Sequence, residues 1–312
     1  MTEDDRRAAL ALMWERFPAV EDRVRRVYGL RLPRHLAVLC ALLGSVDRAE
    51  KEGLSYLGVA RFGLTEYFGD GGLDLVGRDG LDERLQGRYR QDPPEFVTVL
   101  GGDSDGLHFG LWYDDPSDLP ALTVRNYARD SAETWVNKSV TLLDELRSRI
   151  DRVADDYGED GPEAQQLRAL AVALDWFGEA DEEALRADGL SRRPPRRAFT
   201  GVSVFPLLPT GSGDPRLSES NQRLEGFGTE SAEALEWIAQ AERELAAGEP
   251  AFALAVGAEL HWLDRDPYRT QSRDLLVGAY RALGRDALAE IAEVHIANRD
   301  LRSVDVLVRP SS

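Results

Sequence analysis

The sequence contains one cysteine, Cys40, and four histidines among 312 residues. A single thiol excludes an internal disulfide and any cysteine-rich metal site. Inside the apolar run HLAVLCALLG it reads as a buried spectator and not as a nucleophile. His261 and His295 lack the paired histidine and glutamate spacing of a zinc helix. No serine sits in a nucleophile-elbow context, and Gly201, Gly211 and Gly213 lack the strand, lysine and helix that make a phosphate loop. There is no internal repeat and no run of about 18 apolar residues, so no membrane span is expected. The opening segment MTEDDRRAALALMWERF is charged and amphipathic, unlike a signal peptide, and a cytoplasmic protein is the expectation. Positive charge is scarce: 38 Lys and Arg stand against 56 Asp and Glu, a formal net charge of -18. Such a balance argues against broad contact with nucleic acid, although a local basic patch is compatible with it.

The material that is present, 43% hydrophobic and 30% charged, suffices for two cores. Residues 3–17 and 33–43 read as helices, the second opened by Pro33 and closed by Gly44. Around Leu73 and Leu75 a short strand is expected. Strands follow at about 96–100, 107–113 and 120–125, separated by the turn compositions GGDSDG and DDPSD. This succession predicts an antiparallel sheet covered by flanking helices. Within it His108, Gly110 and Trp112 share one face, and packing in the sheet or a binding floor are both open to that aromatic stretch. Ser131 is placed to cap a helix taking in Trp135, Val140 and Leu143. Asp114, Asp115 and Asp118 fit a turn and lack the ligand series of a calcium loop.

The acidic stretch DDYGEDGPE, residues 155–163, is the best linker candidate, giving domains of 1–155 and 156–312. Two helical segments follow it, one with Leu167, Leu170 and Leu174 and a short one from Asp181 to Ala187. The charge then changes sign. Arg192, Arg193, Arg196 and Arg197 form the one dense basic run, leading into AFTGVSVFPLL, which has strand character. A solvated loop and a docking site for an acidic partner are both open to those arginines. Next comes a long loop, PTGSGDPRLSESNQRLEGFGTES, with Ser231 as a cap for the following helix. From Leu235 to Arg299 apolar residues recur three and four apart, predicting a helical layer punctuated by Gly248 and Gly284. Glu249, on the turn between two of these helices, can lie near Glu244, Glu259 or His261, or can simply begin a helix with Pro250. The fold class is therefore α+β, with an amino-terminal antiparallel sheet and flanking helices, then a carboxy-terminal small sheet and helical layer.

Several strings, in order along the chain, resemble the histone PARylation factor family in its bacterial branch. They are Asp92-Pro93-Pro94-Glu95-Phe96, His108-Phe109-Gly110, Phe199-Thr200-Gly201, Val256-Gly257-Ala258-Glu259-Leu260 and His295-Ile296-Ala297-Asn298-Arg299. The amino-terminal half is also similar to the SUKH domain of toxin immunity proteins. The first resemblance implies an accessory factor that docks beside the NAD site of a poly(ADP-ribose) polymerase and lends it a glutamate to deprotonate an acceptor serine. It implies no tightly bound cofactor, NAD being reached only through the partner enzyme. Anchored on Gly257, it places the family's adjacent Asp-Glu pair on Ala246 and Ala247, whose methyl groups accept no proton. Glu249, and after it Glu244, are the carboxylates left to substitute, while Arg192, Arg193, Arg196, Arg197 and Glu259 are the partner-binding candidates. The implied partner is an ADP-ribosyl-transferring enzyme; the second resemblance implies a toxin instead, and a stand-alone ADP-ribose-handling enzyme is the third alternative.

Overall fold

A computed structural model describes residues 1–157, 160–196 and 215–310. The first helix, α1 (Glu3–Tyr28), starts at a capping box in which the Thr2 hydroxyl and the Asp5 carboxylate each accept the other's backbone N–H. It was expected to end near residue 17 but continues through Pro18. An internal proline costs about 3 kcal/mol. Met13, Phe17, Val20, Val24 and Tyr28 are all buried on one stripe, at roughly 1.5–3 kcal/mol each, so packing outweighs the proline. The helix stops at Gly29, whose φ of +67° is a left-handed cap, in a place where a Cβ would press on Ala287.

Helix α2 (His35–Ser45) is buried nearly all round, and α3 (Arg48–Tyr56) follows after the Asp47 cap. Five strands then make one antiparallel sheet: β1 (Val59–Arg61), β3 (Phe96–Gly102), β4 (Leu107–Trp112), β5 (Leu122–Tyr127) and β6 (Thr134–Val136), in that spatial order. The last strand corrects the sequence reading, in which Ser131 capped a helix through Trp135. Thr134 is buried and Trp135 is exposed, a period of two that suits an edge strand on β5. The helix starts later, as α4 (Leu142–Tyr157), with the Thr141 hydroxyl accepting from the Asp144 N–H at 3.2 Å. The strand expected at Leu73–Leu75 is a 3-10 turn (Gly72–Asp74) leading into the two-residue β2 (Val76–Gly77).

The two helical segments expected after the linker are one helix, α5 (Pro162–Ala187). Its stripe of Leu167, Leu170, Leu174, Phe177 and Ala184 runs unbroken and packs against α2, α3 and α4. The strand expected over AFTGVSVFPLL lies outside the described residues. In the segment read as a long loop, residues 209–214 also lie outside, and the remainder forms a 3-10 turn (Pro215–Ser218) and helix α6 (Ser220–Thr229). The helical layer is completed by α7 (Ala232–Ala246), capped by Ser231 as expected, then α8 (Pro250–Leu263), α9 (Arg269–Ala282) and α10 (Asp286–Ala297). A small sheet closes the carboxy-terminal end: β7 (Leu307–Val308) pairs antiparallel with β2. The architecture is thus α+β, with a helix-flanked antiparallel sheet and a helical layer beside a small sheet. One apolar cluster extends from Met13 to Leu307, and a lesser one gathers Phe96, Trp112, Leu122 and Val124 on the opposite face of the large sheet.

A polar seam joins the helical layer to the segment before β3. His108 on β4 is fully buried, with Nε2 at 3.0 Å from the Asp92 carboxylate and Nδ1 at 2.8 Å from the Gly106 carbonyl. His261 on α8 donates to the Asp92 carbonyl at 2.9 Å, and Tyr280 on α9 donates to the Glu95 carboxylate at 2.7 Å. His108 therefore belongs to the interior, and the aromatic stretch around it is sheet packing and not an open floor.

Candidate functional site

The turn between α7 and α8 carries the residues singled out by sequence. Helix α7 closes with Ala247, Gly248 takes φ +85°, and the Glu249 N–H returns to the Glu244 carbonyl at 2.9 Å. Pro250 then opens α8, so Glu249 does begin a helix. Ala246, Ala247 and Glu249 are exposed. The Glu249 carboxylate makes no hydrogen bond or ion pair with a described residue, its own cap included. Of the neighbours expected for it, only Glu244 is close. Glu259 and His261 lie further along the same helix, roughly 15–18 Å away at 1.5 Å per residue.

Glu244 is held instead of free. Arg216 reaches its two oxygens at 2.8 and 3.2 Å, and the Gln240 amide donates at 2.5 Å. The Arg216 guanidinium also lies over the Phe252 ring, 4.4 Å from its centre. Beneath this pair is a second, fully interior one. Arg223 of α6 grips Glu259 of α8 with two bonds of 2.8 and 2.6 Å, both residues being buried. Burial pushes the Glu259 carboxyl up, and the Arg223 bonds oppose that shift. Arg223 also donates to the Arg216 carbonyl, so the two pairs are stacked one behind the other. Glu259 thus faces the interior. Sequence reasoning missed Arg216 and Arg223 because both lie in the stretch read as a loop; the signal was Ser220, Arg223 and Phe227, three and four apart.

The basic run follows α5. Arg192 pairs with Glu182 at 2.8 Å and remains largely exposed; Arg193 and Arg196 are exposed, and Arg197 lies outside the described residues. None of the three makes an ion pair or hydrogen bond with α7 or α8 among the described residues. Cys40 is free and buried, its thiol pushed up to about 12 by burial. Among the described residues no group of three or more His, Cys, Asp or Glu side chains is placed to hold a metal, and no helix is long and apolar enough to cross a membrane.

A general base needs its carboxylate within about 2.6–3.2 Å of the hydroxyl it serves. At this turn only Glu249 has open lone pairs on an accessible surface; Glu244 would have to release Arg216 first. The geometry defines an exposed, carboxylate-bearing turn backed by a rigid ionic cluster, suited to meeting another protein. Sequence comparison then supplies the particular relationship. The family model of Histone PARylation factor 1 matches residues 73–185. Histone PARylation factor 1 of Bos taurus is 24% identical over 247 residues, 73% of this chain and 71% of the relative. That of Mus musculus is 24% identical over 258 residues, again 73% and 71%. The chain is distantly related to this family.

Proposed function

We propose that the chain is an accessory protein in ADP-ribosylation, docking on an ADP-ribosyl-transferring enzyme and modulating it. The observation that carries this reading is the exposed turn Ala246–Glu249 in a chain similar to Histone PARylation factor 1 over 73% of its length. Alanine stands at 246 and 247, where the resemblance implies an adjacent acidic pair, and this favours binding over proton abstraction as the turn's principal role. Glu249 is the one carboxylate there open to a partner, and any help it gives as a base is small, because a displacement of about 1 Å is costly in such a transfer. NAD enters the complex with the partner enzyme. Arg193 and Arg196, with Arg192 paired to Glu182 beside them, offer the acidic surface of that partner an exposed cationic contact.

The test is capture of partners from native cytosol by the wild-type chain and by the Arg192→Glu/Arg193→Glu pair, with identification by mass spectrometry. An ADP-ribosyl-transferring enzyme is expected among the proteins that the pair loses. Mixed with that enzyme, NAD and a serine peptide, wild-type chain should change the rate or the acceptor residue, and Glu249→Gln should retain most of that effect. A toxin in the lost set would replace this reading with an immunity role. Identical captures by the two proteins would remove the basic run from docking.

A further inference from the structure

Between the segment after residue 85 and the crossing after α10 lies a cavity of about 380 Å³. Five arginines line it, Arg88, Arg90, Arg129, Arg299 and Arg302, against two carboxylates, Asp300 and Asp305. In a chain of net charge -18 this is a local reversal of sign. Two of the arginines are neutralised by neighbours. Arg90 pairs with Asp264, and Arg299 reaches Asp266 at 2.6 Å and Asp264 at 3.3 Å. Of the other three, Arg88 feels Asp92 and Glu95 only through space. Arg88 is buried and spends its donors on carbonyls, those of Pro93 at 2.9 Å and Phe96 at 2.7 Å among them, none on a carboxylate. Arg129 and Arg302 are exposed and make no ion pair among the described residues.

His295 supplies the second, independent observation. It lines the cavity at 2% exposure, and neither ring nitrogen has a hydrogen-bond partner among the described residues. The Tyr89 main chain approaches the ring outside hydrogen-bonding geometry, and His261 meets it edge-on at 5.2 Å. A buried imidazole with two idle nitrogens costs desolvation without return, unless something in the cavity bonds to it. Burial holds its pKa well below the usual value, so the neutral ring offers one donor and one acceptor. Tyr89 adds an aromatic wall, its ring 4.5 Å from that of His108 and tilted 31° to it.

We propose that this cavity binds a small molecule bearing a pyrophosphate, with Arg88, Arg129 and Arg302 on the phosphate oxygens and His295 bonding the ligand at the floor. The guanidinium fork matches phosphate oxygens two at a time, and Arg129 and Arg302 gain the counter-charge that no described carboxylate gives them. The volume suits a nucleoside-diphosphate-sized ligand. The choice of ADP-ribose within that class rests on the proposed role in ADP-ribosylation; the pyrophosphate site itself does not.

The experiment is calorimetric titration of the full chain with ADP-ribose, ADP and inorganic pyrophosphate, repeated on Arg129→Glu/Arg302→Glu. Those two side chains are exposed and unpaired, so the double variant should keep the wild-type Tm without ligand. All three probes are expected to bind, with affinity falling at least about tenfold in the variant. ADP-ribose binding at least about tenfold tighter than ADP would support both the site and its link to ADP-ribosylation. Equal binding of all three would support the site and count against that link. No binding of any probe, or equal affinity in wild type and variant, would falsify the proposal, whatever partner the chain captures.

Discussion

Glu95 is fully buried, with one oxygen accepting from Tyr280 and the other without a partner among the described residues. Burial raises its pKa from 4.5 to about 7, against the pull of the Tyr280 hydroxyl and of Arg285. The folded state therefore holds the proton where the unfolded chain has lost it. Its contribution to stability is complete below pH about 4.5 and is lost as pH rises through about 7, on the order of 3 kcal/mol. Glu95→Gln should flatten that limb: urea unfolding at pH 5 and pH 8 should differ less in the variant than in wild type. An unchanged difference would show that Glu95 is ionised inside. Residues of this kind were partly legible. The Asp92 to Phe96 string stood out, but its function as a seam depends on His261 and Tyr280, more than 150 positions away, and no local pattern carries that pairing. Glu244 was likewise visible as a carboxylate and invisible as an occupied one, because Arg216 arrives from another element.

Helix α6 shows how an element escapes a local reading. Its sequence, SNQRLEGFGT, is polar and contains two glycines, a composition that matches a loop. The helix is held by tertiary contacts: Arg223 in the grip of Glu259, and Phe227 edge-on to Trp237 and Tyr268. Removing one partner of a buried pair strands the other charge, so Glu259→Gln or Arg223→Met alone should lower unfolding free energy by roughly 3–5 kcal/mol. Replacing both with apolar residues of similar size should recover most of that loss, as measured by urea denaturation. If the double variant is no more stable than either single, the pair is holding α6 by geometry that apolar packing cannot replace. The periodic helices α7, α9 and α10 were legible because each buries one stripe, and α8, buried nearly all round, because of its apolar content. The start of α4 was misplaced because Thr134 to Val136 alternates inside and outside, which a preceding serine cap obscured.

For the molecule as a whole, the apolar cluster is continuous from α1 to β7, and α5 lies against helices from the amino-terminal half. Unfolding in urea should therefore be a single transition. Tryptophans are spread along the chain at 14, 112, 135, 176, 237 and 262, so fluorescence and circular dichroism should give coincident midpoints. Two separated midpoints would mean that the halves hold their own cores. The clasp between β2 and β7 bears on how such a molecule is made. Val76 pairs with Val308, and the Gln86 side-chain carbonyl accepts the N–H groups of Val306 and Leu307 at 2.6 and 3.0 Å. At ribosomal speed the intervening stretch of roughly 230 residues takes on the order of 10 to 50 s to synthesise. Throughout that interval the nascent amino-terminal half has its large sheet within reach but not its clasp. An open edge at Val76 and a Gln86 side-chain carbonyl without its two N–H donors are what a chaperone at the exit tunnel would meet.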